Sequence, residues 1–223
     1  MPLEEEYYIR PVHGNYVHWF IVEHHYAQVV PQIQYAFGLF KKKGGNMVGA
    51  MTFGQPPSAP LCSGWSWPLL ELNRIALVDN RKNLVSWWIA ACLKKLPKPC
   101  VLVSFADPNQ MHIGFVYQAS NWIYTGLSAA TPKHLIDGRF KHDKWVASAK
   151  REGRQVVSIP QKPKHRYFYP LATSKAEKKK MLQYISERFG VSPYPKGDIV
   201  YYNMEEERER KRNLETPEGF NLI

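Results

Sequence analysis

The spacing of apolar and polar residues predicts alternating strands and helices from residue 7 to about residue 128. Strand patterns occupy Tyr7–Ile9, Tyr35–Lys41, Asn46–Phe53, the segment "LLELNRIALVD" that starts at Leu69 and the apolar run "CVLVSFADP" that starts at Cys100. The glycines of "KKKGGN" suit a hairpin turn between the second and third strands, and Pro11 is expected to end the first. A last strand is expected in the second half of "GFVYQASNWIYTG", residues 114–126.

Three helices are predicted among these strands. The segment "NYVHWFIVEHHYAQVVP" places Val17, Phe20 and Ile21 along one helical face and stops at Pro31. A second helix is expected in "NRKNLVSWWIAACLKKLP", which has polar residues at its start and lysines near its end, and a short third one in "GFVYQ". The segment "GQPPSAPLCSGWSWP" predicts a loop. The resulting order predicts a mixed α/β domain that ends near Ser128.

The character of the chain changes after Ser128, where basic residues predominate. Three acidic residues, Asp137, Asp143 and Glu152, oppose ten basic ones: Lys133, Arg139, Lys141, Lys144, Lys150, Arg151, Arg154, Lys162, Lys164 and Arg166. A further helix is expected between Ser174 and Gly190, both of which suit helix caps. The charge-dense end, "NMEEERERKRNLETPEGFNLI", is expected to be a solvated helix or disordered.

Composition narrows the class of protein. A hydrophobic fraction of 44% and seven tryptophans in 223 residues exclude global disorder. Thirty Lys and Arg against nineteen Asp and Glu give a formal charge of +11, which favours a polyanionic partner such as nucleic acid, although a generally basic enzyme has the same charge. The three cysteines show no CxxC spacing, so neither a disulfide framework nor a structural zinc site is expected.

The chain start and its apolar runs indicate a cytoplasmic protein. The first residues, "MPLEEEYYIR", are acidic where a secretory signal would be basic. The longest strongly apolar run, Val85 to Leu93, is too short to cross a bilayer. We therefore expect no membrane partner.

The segment "YQASNWIYTG" resembles the end of the catalytic core in the GCN5-related N-acetyltransferase (GNAT) superfamily, where a tyrosine-bearing helix is followed by Gly-Phe and a strand. Tyr117 stands at the position of that tyrosine, and Asn121-Trp122 replaces Gly-Phe. The resemblance implies a GNAT-like mixed sheet flanked by helices. It also implies that Tyr117 is the general acid that protonates a departing thiolate. Taken alone, without the resemblance, Tyr117 is better explained as a buried core aromatic.

The resemblance also implies acetyl-CoA as the cofactor, between the strand from Leu70 and the strand from Cys100. The superfamily binds the pyrophosphate with the pattern Arg or Gln, two residues, Gly, one residue, then Gly or Ala. In "RKNLVS", Arg81 matches the first position, whereas Leu84 stands where Gly is usual. The residues expected to bind the cofactor are Ile75, Leu77, Arg81, Lys82, Asn83 and Ser86.

Four segments together resemble a narrower group, the Mom family of phage DNA-modification proteins: "HHYAQVVPQIQYAFGLF", "MVGAMTFGQPPS", "ELNRIALVDN" and "SFADPNQMHIGFVYQASNWIYTG". The resemblance covers roughly residues 7–170. It implies an enzyme in the cytoplasm of a host bacterium that places a carbamoylmethyl-type group on adenine N6 in double-stranded DNA and so protects that DNA from restriction. The alternatives are an acetyltransferase for a small amine or peptide and a DNA-binding protein that has lost catalysis.

Within this resemblance the catalytic candidates are His25, Tyr26, Ser104, Asp107 and Tyr117. Imidazole titrates near neutrality and binds iron or zinc, so His25 is a candidate base or metal ligand, and an iron ion is one option. The ordinary alternatives are a core histidine and, for Asp107-Pro108, a simple turn.

The DNA-binding candidates are Asn73, Arg74, Lys162, Lys164, Arg166 and Tyr167. The segment "KPKHRYFYP" combines phosphate-seeking cations with aromatic rings that can stack on a displaced base, as we expect of Tyr167. The alternative for the cations is a solvated face, and for Arg74 an ion pair with a carboxylate such as Asp107. We therefore expect a GNAT-like catalytic domain over residues 1–170, including a DNA-contacting segment 131–170, and a helical extension over residues 171–223.

Overall fold

A seven-stranded mixed sheet forms the frame of the protein in the computed structural model, which describes residues 1–141 and 143–197. In spatial order the strands, numbered along the chain, are β1 (Tyr7–Val12), β2 (Tyr35–Lys41), β3 (Met47–Gly54), β4 (Leu69–Leu77), β5 (Cys100–Ala106), β10 (His165–Leu171) and β6 (Ile123–Leu127). Neighbouring strands are antiparallel except β4 and β5, which are parallel. This arrangement confirms the predicted mixed sheet flanked by helices.

Helices cover both faces of the sheet. They are α1 (Leu3–Glu6), α2 (His18–His24), α3 (Ala59–Cys62), α4 (Leu84–Leu93), α5 (Phe115–Ala119), α6 (Val146–Arg151) and α7 (Lys175–Phe189). On one face, Trp88 of α4 packs in a buried cluster with Leu72 of β4 and Leu102 of β5. On the other face, Met181 of α7 packs with Val101 and Val103 of β5. Successive residues of β5 thus enter opposite halves of the core, as the alternation of a strand requires.

The parallel pair β4–β5 opens a cleft in the sheet. Its pairing begins at Leu69 with Val101 and ends at Glu71 with Val103. Both strands continue beyond this point, β4 to Leu77 and β5 to Ala106, without pairing to each other. The divergence leaves room between them, and a cavity of about 940 Å³ begins there.

Most of the predicted elements before Ser128 are present, with differences at their ends. β2 agrees residue for residue, and β1 continues through Pro11 because an edge strand tolerates a missing N–H. The first predicted helix is shorter, because the chain turns extended at His25. The segment predicted as a loop contains the helical turn α3, capped by Ser58.

The basic segment after Ser128 is organised differently from our expectation. Residues 133–159 form a small sheet with the spatial order β8 (Arg139–Lys141), β7 (Lys133–Ile136) and β9 (Val156–Ile159). Along the chain, α6 lies between β8 and β9. The chain then returns to the main sheet as β10, between β5 and β6. The "KHRYFYP" stretch is therefore an internal strand of the main sheet, and this explains why Tyr167 and Phe168 are both fully buried.

The predicted C-terminal extension begins with a helix that belongs to the core. α7 is capped by Ser174, whose side chain accepts a hydrogen bond from the Glu177 N–H, and it packs against β5 and β10. The predicted charge-dense end, 203–223, lies outside the described residues. Within the described ranges, no helix combines the length and the apolar character needed to cross a membrane.

Candidate active site

The cavity at the divergence of β4 and β5 gathers most of the predicted site residues. Its walls come from both strands, from α5, from the turn after α2 and from the chain on either side of the small sheet. The ionisable side chains that matter most for its chemistry are His25, Tyr26, Glu71, Arg74, Tyr117 and Lys164. They lie far apart along the chain, and the fold brings them together.

Tyr117 and Ser104 are joined at the floor of this cavity. Ser104 Oγ lies 2.7 Å from the Tyr117 hydroxyl and 2.7 Å from the carbonyl oxygen of Leu72 on the facing strand. A carbonyl only accepts, so the single Ser104 proton goes to Leu72 and the Tyr117 hydroxyl donates to Ser104. Burial raises the pKa of Tyr117 to about 12, and the nearby Glu71 carboxyl acts in the same direction. Tyr117 is thus a neutral proton carrier at any physiological pH.

The backbone before Tyr117 explains why α5 presents it to the cavity. Gly114 caps the helix at φ +89°, a conformation that side chains rarely adopt. A Cβ at this position would lie 2.5 Å from Cε2 of Tyr167. The glycine therefore lets α5 start directly on the Tyr167 ring, and the rings of Tyr117 and Tyr167 pack with centroids 5.2 Å apart.

Glu71 is a functional candidate that the sequence analysis missed. It occupies the last position at which β4 pairs with β5, and it lines the cavity. Its buried Oε2 has no hydrogen-bond partner among the described residues. Burial raises the pKa of Glu71 to about 7, against the opposing effect of the Arg74 and Lys164 charges. The signal in the sequence was a carboxylate inside the otherwise apolar start of "LLELNRI", where a buried charge requires a reason.

His25 and Tyr26 line the cavity together. His25 ends α2, is buried, and its Nδ1 accepts a hydrogen bond from the Ala27 N–H at 3.0 Å, so its ring proton is on Nε2. The ring of Tyr26 packs against His25 at 4.3 Å and against His112 at 5.7 Å between centroids. Across residues 1–141 and 143–197, no three His, Cys, Asp or Glu side chains form a group that could hold a metal ion.

Asp107 organises the loop that follows β5. Its carboxylate accepts hydrogen bonds from the backbone N–H and the side-chain amide of Asn109, at 2.9 and 2.8 Å, and lies 3.4 Å from the Lys164 ammonium. Burial raises the pKa of Asp107, but Lys164 and Asn109 outweigh burial, so its pKa lies below the ordinary value. Asp107 is therefore the cap of a helical turn, Pro108–Gln110, as well as a partner of Lys164.

Asn73 and Arg74 line the cavity and have partners within the protein, and their contact with DNA stays a prediction. The Asn73 amide accepts a hydrogen bond from Thr52 and donates one to the Gln32 carbonyl, so both its ends are used. The Arg74 guanidinium donates to the Val29 and Asn73 carbonyls. It does not pair with Asp107. Its hydrogen bond to Val29 instead fixes the segment that carries His25 and Tyr26 beside the cavity.

The four predicted DNA contacts of residues 162–167 divide into two groups. Lys162 and Lys164 line the cavity, and Lys162 is exposed. The predicted stacking of Tyr167 on a base is wrong, because its ring is fully buried under α5. Arg166 also lines the cavity, but its guanidinium donates to Thr125 and lies 4.5 Å above the Phe189 ring, and its contact with DNA stays a prediction.

The predicted cofactor residues also divide. Ile75 and Leu77 line the cavity, which extends to Asn80 and Val85 at the start of α4. Arg81 does not line the cavity; its side chain forms an ion pair with Glu6 and donates to the Met1 carbonyl.

The remaining predicted cofactor residues, Lys82, Asn83 and Ser86, are described but do not line the cavity. Leu84, at the usual glycine position, is fully buried in the core.

Comparison with known proteins assigns a family to this arrangement. The chain matches the Mom protein family over residues 6–196, which includes the whole cavity and the main sheet. The chain belongs to the Mom protein family. The resemblance predicted from the sequence is thereby confirmed, and the family match extends beyond the predicted region, to the end of α7.

A curated relative of this Mom family member is the protein named methylcarbamoylase mom, from Escherichia phage Mu. The two are 32% identical over 139 residues, which is 57% of this chain and 56% of the relative. The chain therefore aligns with little more than half the length of that relative.

Three solved structures with a similar backbone fold carry the name acetyltransferase. One is a putative acetyltransferase from Acinetobacter baylyi ADP1, at 12% identity and a TM-score of 0.45, covering 74% of this Mom family chain and 91% of the other. Another is an N-acetyltransferase from Staphylococcus aureus Mu50, at 15% identity and a TM-score of 0.43, and the match covers 74% of this chain and 98% of the other. A third is a ribosomal-protein-S5-alanine acetyltransferase from Vibrio fischeri, at 10% identity and a TM-score of 0.44, and the match covers 76% of this chain and 96% of the other. With scores this low, the fold assignment rests on the strand order of the sheet.

Proposed function

We propose that this Mom family member modifies adenine in phage DNA by adding a carbamoylmethyl-type group to the exocyclic N6, which protects the DNA from restriction. The observation that carries the proposal is the pair of proton-handling groups, Glu71 and Tyr117, in the cavity of a chain that belongs to this family. The name of the phage Mu relative, a methylcarbamoylase, supports the type of group transferred.

Glu71 is the proton acceptor in this proposal. The adenine amine is a weak nucleophile, because its lone pair is delocalised into the ring. As its nitrogen forms a bond to the carbon of the incoming group, the bond from that carbon to its leaving group breaks, and the N–H proton passes to the Glu71 carboxylate. A pKa of about 7 suits this task, since the group is substantially ionised at neutral pH and still basic enough to accept a proton.

Tyr117 is the proton donor, and Ser104 positions it. With a pKa of about 12, the Tyr117 phenol is protonated at neutral pH, and it gives this proton to the leaving group as the bond between that group and the transferred carbon breaks. Its hydrogen bond to Ser104 fixes the ring at the point where β4 and β5 separate. His25, Tyr26 and Asp107 stay predictions for the same site: the first two line the cavity wall, and Asp107 holds the loop beside it.

Acetyl-CoA fits the apolar part of the cavity. Ile75, Leu77 and Val85 would contact it, and the cavity ends at the start of α4, where the first N–H groups of a helix lack internal acceptors and suit a phosphate. Bound there, it would supply an activated two-carbon group. A carbamoylmethyl group joins N6 through its α-carbon and carries a further nitrogen, so plain acyl transfer yields a different product.

Double-stranded DNA is the proposed partner, in the cytoplasm of a host bacterium. The N6 amine lies in the base-pairing edge, so the base must leave the stack before it can enter the cavity. Lys162 and Lys164 at the cavity wall are placed to contact the phosphates on either side of such a base.

Mass spectrometry of nucleosides from DNA of cells that express the chain tests this function. A carbamoylmethyl-type adduct on deoxyadenosine is the expected result, and its mass differs from that of an acetyl adduct. An acetylated small amine or peptide with unmodified DNA would favour the acetyltransferase alternative. DNA binding without any modified nucleoside would favour the non-catalytic alternative.

A further inference from the structure

Met111 is an exposed apolar side chain at the rim of the cavity. Its side chain is 64% exposed and still contributes to the cavity lining, which places it at the mouth. Its neighbours are less exposed: Gln110 is buried, and His112 is half-buried. The backbone at Met111 has φ +56°, which is uncommon for a residue other than glycine. The local fold thus presents an apolar side chain to solvent at the entrance of the cavity.

The support under Met111 is rigid. Asp107 caps the preceding turn through two hydrogen bonds with Asn109, and the N–H groups of Met111 and His112 donate to the carbonyls of Pro108 and Asp107, respectively. The Asn109 side chain also accepts a hydrogen bond from the Lys162 N–H at 3.2 Å. The backbone of a turn held in this way loses little further freedom when its side chain enters a partner.

The charges beside Met111 fit a nucleic acid. Lys162 is bound to the same turn through Asn109, and Lys164 lies 3.4 Å from Asp107 at the base of that turn. An apolar tip flanked by cations is the combination with which proteins enter a duplex, where the apolar group separates bases and the cations contact phosphates.

We propose that Met111 is a wedge that enters the DNA duplex and fills the space left by the adenine when that base moves into the cavity. This rests on the proposed function, because the adenine has to leave the duplex only if it is the substrate of the reaction. Methionine is unbranched and adaptable, so it fills an irregular gap between bases well. The turn Pro108–Met111 connects the end of β5 to the cavity wall, so the wedge and the site for the extruded base are joined within a few residues.

Binding to DNA that already contains the gap tests the wedge. Two fluorescein-labelled duplexes of the same sequence are compared by anisotropy, one intact and one with a single tetrahydrofuran abasic analogue. The wild-type chain is expected to bind the abasic duplex about tenfold more tightly, since no base has to be unstacked and Met111 is buried in the gap. Met111→Ala is expected to lose most of this preference while binding the intact duplex like the wild type.

Two further variants control the result. Met111→Leu keeps an apolar side chain of similar volume and is expected to keep the preference. Val191→Ala removes an apolar side chain that is 59% exposed and outside the cavity lining, and it is expected to change nothing. A wild-type chain with equal affinity for both duplexes, or a Met111→Ala chain that retains the preference, overturns the proposal. The assay needs no reaction, so failure of the proposed function appears separately, as unmodified deoxyadenosine.

Discussion

The hydroxyl of Tyr117 on α5 donates to Ser104 on β5 at 2.7 Å, and this bond fixes the phenol at the place where β4 and β5 separate. Ser104 in turn donates to the Leu72 carbonyl of β4, so one serine connects both diverging strands and the helix. The divergence opens the cavity, and Tyr117 lines it at this point.

Glu71→Gln should change how stability depends on pH. Burial raises the pKa of Glu71 from 4.5 to about 7, so its contribution to stability is fully present below pH 4.5 and is lost as pH rises through 7. Glutamine resembles the neutral form at every pH. The free energy of unfolding of the variant should therefore rise relative to wild type between pH 5 and 8, by on the order of 3 kcal/mol.

Urea denaturation of both chains at pH 5 and pH 8 measures this difference. Glu187→Gln, at an exposed position of α7, serves as the control for loss of a carboxylate. A Glu71→Gln difference that does not grow with pH would show that Glu71 is ionised in the folded chain at pH 5 and is not the proposed base.

Asp107→Ala should abolish DNA modification without unfolding the chain. The variant loses the cap of the turn that carries Met111, at a cost of about 1 kcal/mol, and leaves Lys164 without its carboxylate. Asp107→Asn retains an oxygen for the Asn109 N–H and should keep the turn while losing the attraction to Lys164. Comparing modified deoxyadenosine in the two variants separates these effects. Wild-type levels in Asp107→Ala would show that the turn is dispensable.

Gly114→Ala should destabilise the protein and displace Tyr117. The new Cβ would lie 2.5 Å from the Tyr167 ring in a backbone conformation at φ +89°, so both strain and overlap oppose it. The melting temperature should fall by roughly 5–10 °C. Gly45→Ala has a positive φ of 66° and nothing within 4 Å, so it isolates the backbone cost and should shift the melting temperature by only about 2–4 °C. Equal shifts in both would mean that contact with Tyr167 is not what requires a glycine.

Lys162→Ala/Lys164→Ala should weaken DNA binding for all sequences and flatten its salt dependence. Each lost phosphate contact lowers the slope of log affinity against log salt by about one unit. Lys94→Ala/Lys98→Ala removes the same charge from exposed positions outside the cavity lining and should leave the slope unchanged. If both pairs lower the slope equally, net charge alone governs binding and the cavity rim is not the DNA surface.

The sequence predicted the elements that depend on nearby residues and missed those that depend on distant ones. β2 was predicted residue for residue, because its apolar run lies within seven residues. The position of β10 was not, because its neighbours β5 and β6 come from earlier in the chain and the small sheet intervenes. Its cations and rings therefore suggested a surface segment, although the strand is internal to the main sheet.

The site was predictable to the extent that single residues carry a signal. Tyr117, Ser104 and His25 were predicted and lie in or under the cavity. Glu71 stands out in the sequence as a carboxylate in an apolar run, but its raised pKa depends on burial by other elements. The ion pair of Arg81 depends on Glu6, the last residue of α1, so no pattern around Arg81 reports it. An ion pair or a shifted pKa is a property of the folded neighbourhood.

Tyr117→Phe provides the most direct test of the central claim, that the cavity where β4 and β5 separate modifies adenine in DNA. Deoxyadenosine adducts are measured by mass spectrometry in DNA from cells expressing wild type, Tyr117→Phe or the control Tyr169→Phe, which loses a hydroxyl outside the cavity lining. We predict an adduct with wild type and Tyr169→Phe, and a loss of about 10²–10⁴-fold in rate with Tyr117→Phe, the usual effect of removing a positioned acid. Equal adduct levels in all three strains, with Tyr117→Phe folded, would contradict the account.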